Sequence, residues 1–344
     1  MDNNVGVSLL VENVQELASK NSKEIPHRYI RSALIPADEV SVNDSWQIPV
    51  IDMSKVNSHE YQTEMSKLHQ ACKDWGFFQL TNHGATTAIE NMNAATHEFF
   101  KLPLEEKMVY SQQPGSFEGY GQASFNLEDQ KLDWNDRLFI YTIPASARKM
   151  RFWPTNPTSF RSSLEEYSRE LQKICIRLLE LMAVNLGVES KEFVSMCQEC
   201  TQSIRIACYP PCSQPDKVLG ITPHSDPVLL TLLVQVNEVE GLQIRKNGKW
   251  VPVKPLPGAI IVNTGDAMEV MTKLVFHIGL KNVQELASKN LKEIPHRFIR
   301  SEIRTDDVSV NESSQIPVID MCKLVAGNAE YETEMSKLHQ ACKD

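Results

Sequence analysis

The sequence has no run of basic residues and no excess of positive charge: 35 Lys and Arg stand against 44 Asp and Glu, a net charge of −9. Such a surface does not select nucleic acid or an anionic membrane face as a partner. No apolar stretch approaches the ~20 residues of a membrane-spanning helix. The opening residues lack a basic start followed by a long apolar run, so no secretory leader is expected. Eight Cys in 344 residues do not make a disulfide framework, and a reducing cytoplasm is the compartment they suit. Four of them, Cys197, Cys200, Cys208 and Cys212, lie close enough to raise a zinc site. Pro210 and Pro211 stiffen the second pair, however, and the spacing matches no zinc module.

What is present is a globular composition, 42% hydrophobic and 23% charged, with length for one large domain or two ordinary ones. A long internal repeat stands out first. Asn13 to Ser32 returns almost unchanged as Asn282 to Ser301, Gln47 to Met53 as Gln315 to Met321, and Thr63 to Asp74 as Thr333 to Asp344. One long segment copied at near identity is unlike the short, loose period of a solenoid. The second copy has no counterpart of the β-rich stretch Trp75 to Leu80 that follows the first.

The spacing predicts a short strand over Ile48 to Ile51, a helix over Tyr61 to Lys73, a strand over Trp75 to Leu80 and a helix from Ala88 to Lys101. His83, in the turn after the second strand, reads as a turn-stabilising side chain. Gln112 to Asp136, rich in Gly, Ser, Gln and aromatics, reads as a long binding-site loop. Ser163 to Gly187 is the clearest helix, with Ser163 and Glu166 as a capping box, an apolar stripe from Leu164 to Leu181, and Gly187 as the stop. Beyond it come short strands at Ile204 to Cys208, Val228 to Val236, Leu242 to Arg245, Trp250 to Val253 and Ala259 to Val262. Asn247-Gly248 signals a type I′ hairpin. Strands this short, without helices between them, indicate an antiparallel sandwich or jelly roll.

The chemistry gathers at Ile221-Thr222-Pro223-His224-Ser225-Asp226-Pro227. On extended backbone, positions i and i+2 project to one side, so His224 and Asp226 can meet one metal ion. With one more His they would form the 2-His-1-carboxylate face of non-haem Fe(II) oxygenases, which leaves positions open for co-substrate and O2.

Taken together, IPVIDM, DWGFFQLTNHG, YGQASF, LDWNDRLFI, YPPCSQPDKVLGITPHSDPVLLTLL, GLQIRKNGKWVPVKPLPGAIIVNTGD and MEVMT resemble the plant 2-oxoglutarate- and Fe(II)-dependent dioxygenases, nearest the codeine O-demethylase-like and senescence-related group. The likeness covers about residues 10–272. It implies a mixed α/β, mainly β fold: a double-stranded β-helix (jelly roll, cupin-like) core with flanking helices, incomplete at its C-terminal end. The domains it implies are an N-terminal region at 1–110, the jelly-roll core at 111–276 and a partial duplicate of the N-terminal region at 277–344. It implies Fe(II) bound by His224 and Asp226, 2-oxoglutarate as co-substrate with Tyr209 donating to one of its carboxylates, and ascorbate as a supporting reductant. The implied reaction is hydroxylation or O-demethylation of a small plant metabolite, with succinate and CO2 as co-products; a monomer in the cytoplasm is expected beside it.

The sequence departs from the family in two places. Ala207 stands where Asn precedes the Tyr by two residues. After Thr272 the family's N-G-x-Y-x-S-x-x-H-R and R-x-S segments, carrying the third iron ligand and the arginine for 2-oxoglutarate, give way to the repeated text. His277, at what reads as a strand end, lies near the third ligand's distance without the Arg that should follow. A catalytically silent product of the same descent is therefore the alternative.

Overall fold

In the computed structural model the described residues are 13–20, 24–31, 47–113, 116–121, 131–195 and 200–278. In chain order they form α1 (Val14–Ser19), β1 (Val50–Asp52), α2 (Tyr61–Asp74), β2 (Phe77–Thr81), α3 (Thr86–Lys101), α4 (Leu104–Met108), β3 (Gly119–Gly121), β4 (Asp136–Ile143), α5 (Phe160–Leu186), α6 (Ser190–Ser195), β5 (Gln202–Cys208), β6 (Leu230–Leu233), β7 (Gln243–Lys246), β8 (Lys249–Pro252), β9 (Ile260–Thr264) and α7 (Asp266–Ile278). No helix among the described residues is long and apolar enough to cross a membrane. The second repeat copy, whose residues after about 280 are expected to pack poorly or to sit where the missing strands would go, lies outside the described residues.

Three ladders result: a four-stranded sheet in the order β1-β2-β9-β6, a three-stranded sheet β3-β4-β5, and the hairpin β7-β8. In the first, β1 runs parallel to β2, while β2–β9 and β6–β9 are antiparallel. Alternation along the strands divides this sheet cleanly. Phe78 and Leu80 face Val262 and Ile260 across the ladder, and all four join the largest core cluster under α5. Ile261 points the other way, into a smaller cluster with Ile244 and Val251 of the hairpin. The hairpin turns as expected, with positive φ at both Asn247 (50°) and Gly248 (80°), which the type I′ turn demands.

Helix α5 begins earlier than the capping signal predicted. Ser163 is buried inside it and forms no cap, because Phe160 is fully buried beside Phe99 and carries the chain into helix one turn sooner. Burial of an aromatic ring outweighs the ~1 kcal/mol a cap contributes. Gly187 closes the helix in the left-handed conformation at φ 69°, as expected. The loop expected over Gln112 to Asp136 contains the short strand β3, which pairs with the start of β4. His83 does stabilise its turn: Nδ1 accepts from Ala85 N at 3.1 Å and Nε2 meets Gly258 O at 2.9 Å.

Candidate metal centre and the loop that carries it

His224 and Asp226 lie in a segment that belongs to no ladder, whereas the sequence suggested the face of a strand. Pro223 and Pro227 bracket them, and a residue without an N–H cannot donate to a ladder. Side chains and neighbouring backbone take over the task of holding the segment. Its side chains nonetheless converge, with His224 Nε2 3.5 Å from Asp226 Oδ1.

Each of the two groups is oriented by its own partner. His224 Nδ1 lies 2.8 Å from Thr222 O; a carbonyl only accepts, so Nδ1 carries the proton and Nε2 turns its other side toward Asp226. Asp226 Oδ2 accepts from Thr231 Oγ1 at 2.6 Å and from Asn263 Nδ2 at 2.9 Å. Thr231 and Asn263 face one another across the β6–β9 ladder, so one cross-strand pair grips one oxygen and leaves Oδ1 for the site. Asp226 is held well below the usual carboxylate range, first by the neighbouring His224 imidazole and then by the hydrogen bonds from Thr231 and Asn263. The adjacent Asp226 carboxylate raises His224, against the opposing effect of burial.

Behind the pair, α7 props the loop. Gly265 N donates to Leu229 O at 3.0 Å, Asp266 N to Asp226 O at 2.8 Å, and Ser225 Oγ to Asp266 Oδ2 at 2.8 Å. A Cβ on Gly265 would lie 2.0 Å from Val228 O and 2.6 Å from Asp226 O, so only glycine permits this approach.

In front, the residues 132–136 act as a brace. Asp133 Oδ1 accepts from Thr222 N (3.1 Å), Thr222 Oγ1 (2.6 Å) and Arg31 Nη2 (3.0 Å). Arg31 Nη2 also reaches Thr222 Oγ1 at 2.9 Å. Trp134 donates from N to Leu219 O at 2.7 Å and from Nε1 to Pro210 O at 3.0 Å, and Asn135 Nδ2 donates to Gly220 O at 2.6 Å. Asp136 points the opposite way and accepts from Val14 N and Gln15 N at the start of α1, where negative charge is favourable. The first repeat copy is thus tied to the loop through Arg31 and to β4 through Asp136.

Tyr209 follows β5, 52% exposed, with its ring against Gly220, where a Cβ would sit 3.0 Å from Tyr209 Cδ1. Its phenol is raised above the usual value, burial of the ring outweighing the pull of Arg205. His277 lies within α7, so the strand end expected there does not form; Asp266 and Glu269 in the first turn and the buried Met268 favour helix instead. Among the described residues no group of three His, Cys, Asp or Glu could hold a metal. The donors that are present, an imidazole with its remote nitrogen pinned and a carboxylate with one oxygen left over, fit two positions of an iron(II) facial triad.

Sequence reasoning did not find Arg31, Asp133, Thr231, Asn263 or Gly265 as parts of the site. The signal for two of them was there: Thr231 and Asn263 interrupt otherwise apolar strands, and a polar residue at an inward strand position needs a partner.

Comparison with known proteins fixes the class. Residues 48–156 match the family model described as the non-haem dioxygenase in morphine synthesis N-terminal region. Residues 200–297 match the 2OG-Fe(II) oxygenase superfamily. S-norcoclaurine synthase 1 of Coptis japonica is 49% identical over 274 residues, covering 79% of this chain and 78% of the relative. Codeine O-demethylase of Papaver somniferum is 42% identical over 279 residues, covering 79% and 78%. The crystal structure of JOX2 in complex with 2OG, Fe and JA aligns with a TM-score of 0.68 at 34% identity, covering 76% of this chain and 75% of that one. The chain belongs to the 2-oxoglutarate- and iron(II)-dependent oxygenases. Its fold is the mixed α/β, double-stranded β-helix class that the sequence implied.

Proposed function

We propose that His224 and Asp226 hold iron(II) in this chain, and that it oxidises a small plant metabolite by hydroxylation or O-demethylation. The observation that carries this reading is the convergence of His224 Nε2 and Asp226 Oδ1 at 3.5 Å, each fixed by a separate hydrogen bond. Bound iron and 2-oxoglutarate supply the oxidising chemistry with O2. The residues of the chain bind and orient. Thr222 O keeps the proton on His224 Nδ1, Thr231 and Asn263 hold one oxygen of Asp226 away from the site, and Tyr209 offers its hydroxyl to a co-substrate carboxylate. Ascorbate sustains the iron(II) state, and the chain works as a cytoplasmic monomer. Residues 277–344 act as a partial duplicate of the N-terminal region, outside the catalytic core.

A second reading has its own support. After Thr272 the sequence returns to the repeated text rather than to the family's H-R and R-x-S segments, which favours a chain that retains the fold and cannot turn over. Incubation with iron(II), ascorbate and labelled 2-oxoglutarate separates the two. Substantial labelled succinate that disappears in Asp226→Ala establishes the oxygenase. Iron retained by the wild type with no succinate establishes the silent form.

A further inference from the structure

Arg137 is a buried cation whose guanidinium has an unmet edge among the described residues. Only 7% of it is exposed, and both Nε and Nη2 are buried without a hydrogen-bond partner. Those two nitrogens form one edge of the guanidinium, the two-donor fork suited to a carboxylate. The same edge is filled elsewhere in this chain: Arg161 grips Trp153 O through Nε at 3.2 Å and Nη2 at 2.9 Å. Arginine is rarely buried unless paired, and an unmet buried charge is costly. Burial lowers the Arg137 guanidinium to about 10, with Arg205 adding repulsion and Asp133 opposing it. Asp133 offsets the charge only at a distance, because its hydrogen bonds go to Thr222 and Arg31.

Register shows where this charge sits. Arg137 pairs with Ala207, and Phe139 with Arg205, across β4–β5. Alternation puts Leu138, Ile140 and Ile206 into the apolar core and sends Arg137, Phe139, Arg205 and Ala207 to the other face. Ala207 is the small residue opposite Arg137 in the ladder. Arg205, exposed, lies within electrostatic reach of both Tyr209 and His224. One face of the sheet therefore carries two arginines, one within electrostatic reach of His224 and the other unsatisfied.

We propose that Arg137, together with Arg205, receives a carboxylate of a small-molecule ligand in this site. The proposal rests on the oxygenase reading of the centre. The carboxylate comes either from the co-substrate or from the substrate. Without a ligand the Arg137 fork is closed in with no acceptor; turning it toward a carboxylate gives it one.

The test uses the full chain with Mn(II) in place of iron. 2-Oxoglutarate and trans-cinnamate, an aromatic monocarboxylate, are titrated calorimetrically into the wild type, Arg137→Met and Arg205→Met, and melting temperatures are recorded without ligand. Arg137→Met should melt no lower than the wild type, since it removes an uncompensated charge, and should bind at least one probe tenfold or more weakly. A loss confined to 2-oxoglutarate assigns the pair to the co-substrate, and a loss confined to cinnamate assigns it to the substrate. The proposal is overturned if the wild type binds neither probe, if Arg137→Met binds both within twofold of the wild type, or if it melts several degrees lower. Arg205→Met, altered at an exposed position, should weaken the same probe as Arg137→Met; a change in the other probe alone overturns the pairing. Mn(II) binding, read separately by electron paramagnetic resonance, tests the centre itself: it should need His224 and not Arg137. A wild type that takes up no Mn(II) sinks the iron reading, while the probe titrations without metal still decide Arg137.

Discussion

Helix α5 and the loop from Gly220 to Leu229 keep their places by opposite means. The helix is regular and anonymous: Leu164, Leu171, Leu178 and Leu181 bury a stripe, and any side chain of similar size and apolarity would serve nearly as well. The loop has no regular structure, yet Asp133, Arg31, Asn135, Thr231, Asn263 and Asp266 each hold it at a named atom. Position in the helix comes from area, and position in the loop comes from individual hydrogen bonds. The two should therefore fail differently.

The largest effect is expected at the contact where the loop meets α7. Gly265→Ala forces a methyl against two backbone carbonyls that cannot yield independently, and should cost about 3 kcal/mol of stability and abolish metal uptake; thermal unfolding and Mn(II) titration read both. Leu178→Ala, in the fully buried stripe, should cost a similar ~3 kcal/mol while leaving metal affinity within twofold. If that helix substitution removes metal binding too, the contrast collapses. Asp133→Ala takes away the acceptor shared by Thr222 and Arg31, with an expected loss of about 2 kcal/mol and a larger fractional loss of metal affinity than Leu178→Ala shows. The smallest effect belongs to Thr231→Val, which leaves Asn263 still bound to Asp226. It should change stability by about 1 kcal/mol and metal affinity by roughly tenfold, seen by titration alone.

The same division governs how much of the molecule was legible. Strand positions follow from β-branched runs, and the hairpin from Asn247-Gly248, because each depends on neighbours in sequence. The start of α5 was misread because Phe160 answers to Phe99 rather than to its own turn. His224 and Asp226 were visible as a spacing, and their family likeness made the chemistry explicit. Their setting was not visible, since Pro223 and Pro227 exclude the ladder and the supports come from distant stretches. Nothing in the sequence singled out Arg137; only the structure shows its Nε and Nη2 buried without a hydrogen-bond partner.

Arg31 and Thr222, joined by a single hydrogen bond, are 191 positions apart. Closing a loop that long costs more chain entropy than closing a short one. The loop around His224 therefore depends for its shape on the beginning of the chain. A fragment starting at residue 47 would keep both His224 and Asp226, and every strand around them, and still bind metal poorly.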